Sequence, residues 1–436
     1  MAATNRIVQR KLLSRAVLGV FCCGTLAAQQ QTLQLTLAEA QRLAIQNNPQ
    51  FSAARLNAAA AYQVPAEYNA NFEPTLFGSL TGTGADSGSR IAAGALNNPV
   101  VYNRLGSGLS VGQLVLDFGR TRNLVDMAKL HAQAQDQVSE TTRAQILLAT
   151  DRAYFGILRA QAVLKVAEQT VAARQLVSDQ VTALAQSSLK SMLDVSFANV
   201  NLSDAKLLLV QAQNDLKSAE AELAAAMGLP NQTAFTLSEE SMPSALPDRV
   251  DPLIQQALQD RPELKDLRLE QSAAEHFTKA EHSLYFPNIG LFGTAGFAPA
   301  GEAVIPGRYG AVGVNVTIPI FNGGLFKARQ TEAELKARAA TQNINDQANR
   351  IARDVRVAYF RAVTAYDRVG LTDQLLKQAQ LALDLAQSRY DLGLSSIVEL
   401  SQAQLNLTSA QIASASARYD YQTQRAVVDY QIGALH

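Results

Sequence analysis

Hydrophobic positions follow a period of three to four residues in long stretches and a period of two in short ones, and the alternation occurs twice in the same order. Residues 37–48 read as a short amphipathic helix that Pro49 interrupts, and a second helix is expected over 50–68. The period then changes. Residues 72–81 and 104–116 read as strands joined by a Gly-, Ser- and Asn-rich loop over 82–103. Residues 286–297 and 309–320 repeat that pair, with a loop over 298–307. Val312, Val314, Val316 and Ile318 alternate there with Ala311, Gly313, Asn315 and Thr317, so one face is apolar and the other small or polar. After each pair a long helix runs out, over 120–186 and 325–391, and a shorter one returns, over 192–227 and 397–430. Ile146, Ala149, Ala153, Ile157, Ala160, Leu164 and Ala167 form one stripe of the first long helix, as in a coiled-coil seam. At ~1.5 Å per residue such a helix is on the order of 100 Å long.

The two halves are copies. A displacement of 205 positions lays Ala153-Tyr154-Phe155 on Ala358-Tyr359-Phe360, Ser191 on Ser396, Asp194 on Glu399 and Gly228 on Gly433. Upstream the displacement is 213, which lays Pro49 on Pro262 and Pro74 on Pro287. A unit this long is a duplicated half rather than one member of a solenoid array. The expected organisation is a signal peptide over 1–27, a first repeat over 28–228, a linker over 229–247 and a second repeat over 248–436.

Composition fits long helices packed through small residues. Aromatics are 6% of the 436 residues and Trp is absent, while Ala, Gln, Leu and Ser crowd the helical stretches. Formal charge is zero, so no basic patch points to nucleic acid. Arg6, Arg10, Lys11 and Arg15 precede a short apolar run ending at Leu26-Ala27-Ala28, the pattern of a cleaved export signal. Its removal takes away four positive charges and leaves 34 basic against 38 acidic residues. Both cysteines, Cys22 and Cys23, lie in this segment; acylation on one of them is the rival reading, though Phe21 is large for such a site. After cleavage no cysteine remains for a disulfide or a thiolate metal site.

Four strands of bilayer length cannot close a barrel alone, and an open edge in hydrocarbon leaves N–H and C=O groups unpaired. The strands therefore stay in water or are pooled with other copies of the chain. Three copies give twelve strands; two give eight, with little lumen.

At this point the chain resembles the TolC-type outer membrane factors of Gram-negative bacteria. The resemblance lies in the duplicated helix-strand-strand-helix-helix plan and in the corners Leu116-Asp-Phe-Gly-Arg120 and Ile320-Phe-Asn-Gly-Gly324. It extends to Arg389-Tyr-Asp-Leu-Gly-Leu-Ser-Ser-Ile-Val-Glu-Leu-Ser-Gln-Ala-Gln404, which looks like the family's turn between outgoing and returning helices. The resemblance implies a mainly α fold with a membrane β-barrel: a homotrimer with one twelve-stranded barrel in outer membrane lipid, continued by an α-helical coiled-coil barrel across the periplasm. It implies a passive exit duct without cofactor, joined to a periplasmic adaptor and an inner membrane transporter. Small-molecule efflux is the first expectation and type I protein secretion the second. A periplasmic coiled-coil scaffold is the reading from another class, and it would have no use for four bilayer-length strands.

The same resemblance assigns residues. Asp194 and Glu399, six positions beyond Ser188 and Gly393, would face the lumen near its periplasmic entrance, where three copies of each would form a carboxylate ring with raised pKa values. The competing reading makes each an acid at a helix start, stabilised by the dipole. Leu189, Lys190 and Ser191 in one turn, and Gly393, Leu394, Ser395 and Ser396 in the other, would be the adaptor-docking tips. Ser188 stands where the second half has Gly393, so a differently shaped first turn is expected. Ser395 occupies a position where family members can carry an entrance-locking arginine; Lys190 is the candidate substitute. Phe72, Phe77, Tyr285, Phe286, Phe292 and Tyr309 would form the interfacial aromatic girdle.

Other signals carry less. Gly106, Gly108 and Gly112 miss the dinucleotide-binding spacing, and His131, His276, His282 and His436 lack the i, i+4 pairing and cysteine partners of a zinc site. No Ser-His-Asp or Cys-His arrangement can be drawn, so catalysis is not expected.

Overall fold

The computed structural model describes residues 33–86, 88–89, 100–230, 235–301 and 307–435. The expected signal segment with Cys22 and Cys23, and parts of the two strand-joining loops and of the linker, lie outside the described residues. In chain order the elements are β1 (Leu33–Leu35), α1 (Leu37–Asn47), α2 (Pro49–Ala61), α3 (Val64–Asn69), β2 (Thr75–Thr83) and β3 (Arg104–Leu116). They continue with α4 (Arg120–Gln186), α5 (Met192–Ala226), β4 (Phe235–Leu237), α6 (Asp251–Asp260) and α7 (Pro262–His282). The last four are β5 (Asn288–Gly301), β6 (Arg308–Thr317), α8 (Leu325–Asp391) and α9 (Ile397–Gln431).

The duplication is metrical. Both α4 and α8 have 67 residues, and both α5 and α9 have 35. Each long helix starts from a corner with two consecutive left-handed residues, Phe118-Gly119 and Gly323-Gly324. At the first corner buried Asp117 accepts from the Gly119 N–H (3.2 Å) and the Thr121 N–H (2.7 Å), satisfying donors at the start of α4. Phe118 tolerates its positive φ of 53° while stacked on Phe286, with ring centroids 5.4 Å apart.

The other helices pack along the two long ones, α4 and α8. Toward one end α4 packs against α2, α3 and α7, and α7 packs against α8; toward the other end α4 meets α5 and α9, and α9 meets α8. The expected helix over 50–68 is two helices, because Pro65 cannot donate within the ladder and the chain breaks at Tyr62-Gln63. Its counterpart α7, without that proline, runs unbroken for 21 residues.

Midway along the long helices each half has its own core, centred on the repeated Ala-Tyr-Phe. Tyr154 is fully buried among Leu35, Phe51, Ile157, Leu223, Met227 and Phe235. Its hydroxyl donates to the Ser238 carbonyl (2.7 Å), with the Leu35 carbonyl 3.1 Å away. Tyr359 repeats the arrangement, donating to the Pro247 carbonyl (2.8 Å) within the cluster of Leu264, Ile351, Val355 and Val428. Of the expected seam, Ala149 is exposed, whereas Leu147, Leu148, Asp151, Tyr154, Phe155 and Leu158 are buried. Here α1, α5, α9 and the two-stranded parallel sheet of β1 and β4 wrap the helix on several sides rather than along one stripe. That small sheet also puts a strand inside the stretch read as linker.

The strands β2, β3, β5 and β6 form one antiparallel sheet in that order, with 9, 13, 14 and 10 residues. The first strand begins at Thr75 rather than at 72, since Ala70–Phe72 form a 3-10 turn and Pro74 has no N–H to donate. Strand β5 extends past 297 to Gly301, into the stretch expected to be loop, and β6 stops at Thr317, just before Ile318 and Pro319.

Directly opposed residues share a face, so the register sorts the side chains. Leu76 opposes Val111, Val111 opposes Gly293, and Gly293 opposes Val312; Leu291 opposes Val314. That face is aliphatic. On the other, Thr75 opposes Gly112, Ser110 opposes Thr294, and Asn315 opposes Gly290. Neither face is covered by another layer: Val312 is 89% exposed on the aliphatic face and Phe77 65% exposed on the other. The outer edges of β2 and β6 have no partner among the described residues. A sheet with a bare aliphatic face and two bare edges is not a stable end state in water. Among the described residues no helix is long and apolar enough to cross a membrane.

Candidate functional site at the helical tips

At the end of the long helices remote from the sheet, α4 turns into α5 and α8 into α9. Both turns close alike. Ser188 has φ +58° and Gly393 φ +72°; the Leu189 N–H donates to the Leu184 carbonyl (2.9 Å) and the Leu394 N–H to the Arg389 carbonyl (2.8 Å). This six-to-one bond is the Schellman closure. The expectation of a differently shaped first turn is therefore corrected. Ser188 takes the left-handed conformation that glycine adopts in the other copy, at a steric cost that a non-glycine residue bears there.

The helix starts are also alike. Ser191 caps α5, its Oγ accepting from the Asp194 N–H (3.2 Å), and the Asp194 carboxylate accepts from the Ser191 N–H (3.1 Å), a complete capping box. Ser396 caps α9 through the Glu399 N–H (3.4 Å), but the Glu399 carboxylate turns instead to Arg389, 3.2 Å away across the turn. Both acids thus act at helix N-termini, and each has a partner within its own chain. Asp194 is half-buried and Glu399 exposed.

Between the two turns lies a contact with no sequence counterpart. The Lys190 ammonium sits 3.9 Å from the centroid of the Tyr390 ring, linking the α4–α5 turn to the last turn of α8. Tyr390 is 6% exposed and packs with Val181, Val195, Ile397 and Leu400, so all four helices meet around it. Burial, followed by the charges of Asp194 and Asp391, pushes its hydroxyl pKa up. That hydroxyl and the buried Ser395 Oγ have no hydrogen-bond partner. Leu189 and Leu394 project from the two tips and are exposed, as is Met192. Arg389 and Tyr390 were legible only as part of the turn motif. The signal for them is the position of two bulky residues on the last helical turn, facing a lysine contributed by the other repeat.

The six aromatics divide into two groups. Phe72 ends the 3-10 turn before β2, and its carbonyl accepts from the Gln113 side chain. Tyr285 and Phe286 lie in and just after the turn before β5, where Phe286 stacks on Phe118 and Tyr285 packs edge-on to Phe326 (5.8 Å). These three mark the junction of sheet and helices. Phe77, Phe292 and Tyr309 stand instead on the small and polar face: Phe77 opposes Ser110, Phe292 opposes Gly313, and Tyr309 opposes Gly296. A Cβ at Gly313 would lie 2.6 Å from the Phe292 ring, and one at Gly296 2.2 Å from that of Tyr309. These three stand on the face opposite the aliphatic one, where Phe292 and Tyr309 cover glycines of the neighbouring strands.

A family model described as "Outer membrane efflux protein" matches residues 40–229 and 253–434. The chain belongs to the outer membrane efflux protein family. Members of this family are channels and not enzymes, and membership makes the chain an outer membrane efflux duct. Among individual relatives it is 24% identical to the outer membrane protein TolC of Salmonella enteritidis, over 98% of this chain and 87% of that protein. It is also 24% identical to the alkaline protease secretion protein AprF of Pseudomonas aeruginosa, over 97% of this chain and 89% of that one. The fold matches the outer-membrane channel OprN with a TM-score of 0.78 at 20% identity, covering 91% of this chain and 90% of OprN. In an efflux protein of this family the bare sheet is the membrane element and the tips are the end farthest from it.

Proposed function

We propose that three copies of the chain close their sheets into one twelve-stranded barrel, and that the long helices continue it as a tunnel serving as the exit duct of a tripartite small-molecule efflux pump. The unpaired outer edges of β2 and β6 carry this reading, because an edge in hydrocarbon needs a strand from elsewhere and every copy supplies both kinds. The aliphatic face meets lipid and the glycine- and serine-rich face lines the passage. Transport energy comes from an inner membrane transporter joined through a periplasmic adaptor. The adaptor meets the duct at Leu189, Lys190 and Ser191 and at Gly393, Leu394, Ser395 and Ser396. Asp194 and Glu399 line the entrance, and the Lys190–Tyr390 and Arg389–Glu399 contacts hold it closed until docking competes for them.

Leu394 is the place to test this, since its side chain is 67% exposed whereas Ser396 caps α9. A photo-crosslinker on Leu394→Cys should capture a periplasmic adaptor in living cells, and the transporter accompanying that adaptor should be a small-molecule exporter. No capture from a well-expressed, membrane-inserted protein would count against docking at the tips. The similarity to AprF, a protease secretion protein, supports a second reading as the duct of a protein secretion system. A protein-exporting transporter in the captured complex would select it.

A further inference from the structure

Arg174 lies on α4, fourteen residues before the Ser188 turn and so roughly 20 Å along the helix from it. It is 7% exposed, and its Nη1 has no hydrogen-bond partner. Burial pushes the guanidinium pKa down, and Asp204 on α5 opposes that shift through its charge without forming an ion pair among the described residues. A buried guanidinium that no carboxylate contacts directly is unfavourable. Arg174 lines a pocket of about 210 Å³ between α4, α8 and α9. Gln169, Gln404 and Gln411 supply side-chain amides to its wall, Leu383 and Leu407 supply apolar surface, and no carboxylate lines it.

We propose that this pocket is a binding site for a small monovalent anion of the halide kind, with Arg174 as the counter-charge. The three amides offer N–H donors around the cation. At ~30 Å³ per water, the volume holds one such ion with a few waters beside it. Charge-assisted bonds from a guanidinium to an anion are about twice as strong as neutral ones, which favours the ion over water alone. The pocket lies on the seam where α4 meets α9, so a bound ion ties the first helical hairpin to the second. The site is built within one chain and does not depend on the proposed trimer or its cargo.

Bromide is the probe, because it replaces chloride and scatters anomalously. Crystals of the detergent-purified protein in sodium bromide should show an anomalous peak beside the Arg174 guanidinium, absent in Arg174→Met. In solution bromide should raise the thermal transition of the wild type by a few degrees in a saturable way, and the variant should lack that saturable component. An empty pocket in bromide, or equal responses from wild type and variant, would overturn the proposal. Asp204→Asn gives an independent check. If it destabilises the wild type and that effect disappears in the Arg174→Met background, Arg174 is neutralised by Asp204 and the anion site is excluded.

Discussion

Replacing Val314 with arginine is expected to abolish insertion in the outer membrane, while replacing its chain neighbour Asn315 with arginine is expected to leave insertion intact. Val314 is 62% exposed, opposes Leu291 and lies between Val312 and Val316 on the aliphatic face. A cationic side chain facing lipid near the midplane costs ~2–4 kcal/mol per copy, and a trimer bears that cost three times. Asn315 opposes Gly290 on the other face, where an arginine would meet water in the passage. Heat-sensitive oligomers in the outer membrane fraction measure the difference. Equal loss, or equal tolerance, would mean that the two faces do not separate lipid from lumen.

The second large effect concerns Asp151, which is 3% exposed on α4 and accepts from the Gln41 side chain at 2.6 Å. Burial pushes its carboxyl pKa up to about 6, the Gln41 hydrogen bond opposes the rise, and the charge of Asp429 adds to it. The folded pKa is above the unfolded one, so the folded state holds the proton more tightly and loses stability as pH climbs from about 4 to about 6. Above that window the ionised carboxylate costs on the order of 3 kcal/mol. Asp151→Asn keeps an oxygen for Gln41 and removes the charge. The variant should gain on the wild type as pH rises from 4.5 to 7.5, measured as the difference between their thermal transitions. A difference that stays constant over that range would show that the carboxylate is compensated in the folded protein.

Period and duplication made most of the architecture legible. The alternation of Val312, Val314 and Val316 with Gly313 and Asn315 gave the two faces of β6, and the displacement of 205 gave helices of equal length in the two halves. Aromatic placement was not legible in the same way. A Phe or Tyr is apolar on either face, and only the register shows that Phe292 and Tyr309 cover glycines of neighbouring strands. The tips were located by the turn residues, but the Lys190–Tyr390 contact joins positions 200 apart and no spacing rule relates them. Ser188 misled for a local reason. A serine predicts no left-handed turn, and the conformation is imposed by the helices on either side of it. Arg174 was hidden because a lone arginine on a long helix is ordinarily solvated, and its burial depends on how α4 and α9 meet.

The central claim is that the open edges of β2 and β6 are completed by other copies of the chain. Ser79 on β2 and Ala311, Asn315 and Thr317 on β6 share the non-aliphatic face, so Ser79→Cys can be combined in turn with Ala311→Cys, Asn315→Cys and Thr317→Cys. Cys22 and Cys23 fall in the segment expected to be removed on export, which leaves the introduced pair alone. After mild oxidation in cells, at least one pair should give a ladder on a non-reducing gel that ends at three chains. A ladder ending at two chains, or no covalent species from any of the three pairs, would contradict the trimeric barrel.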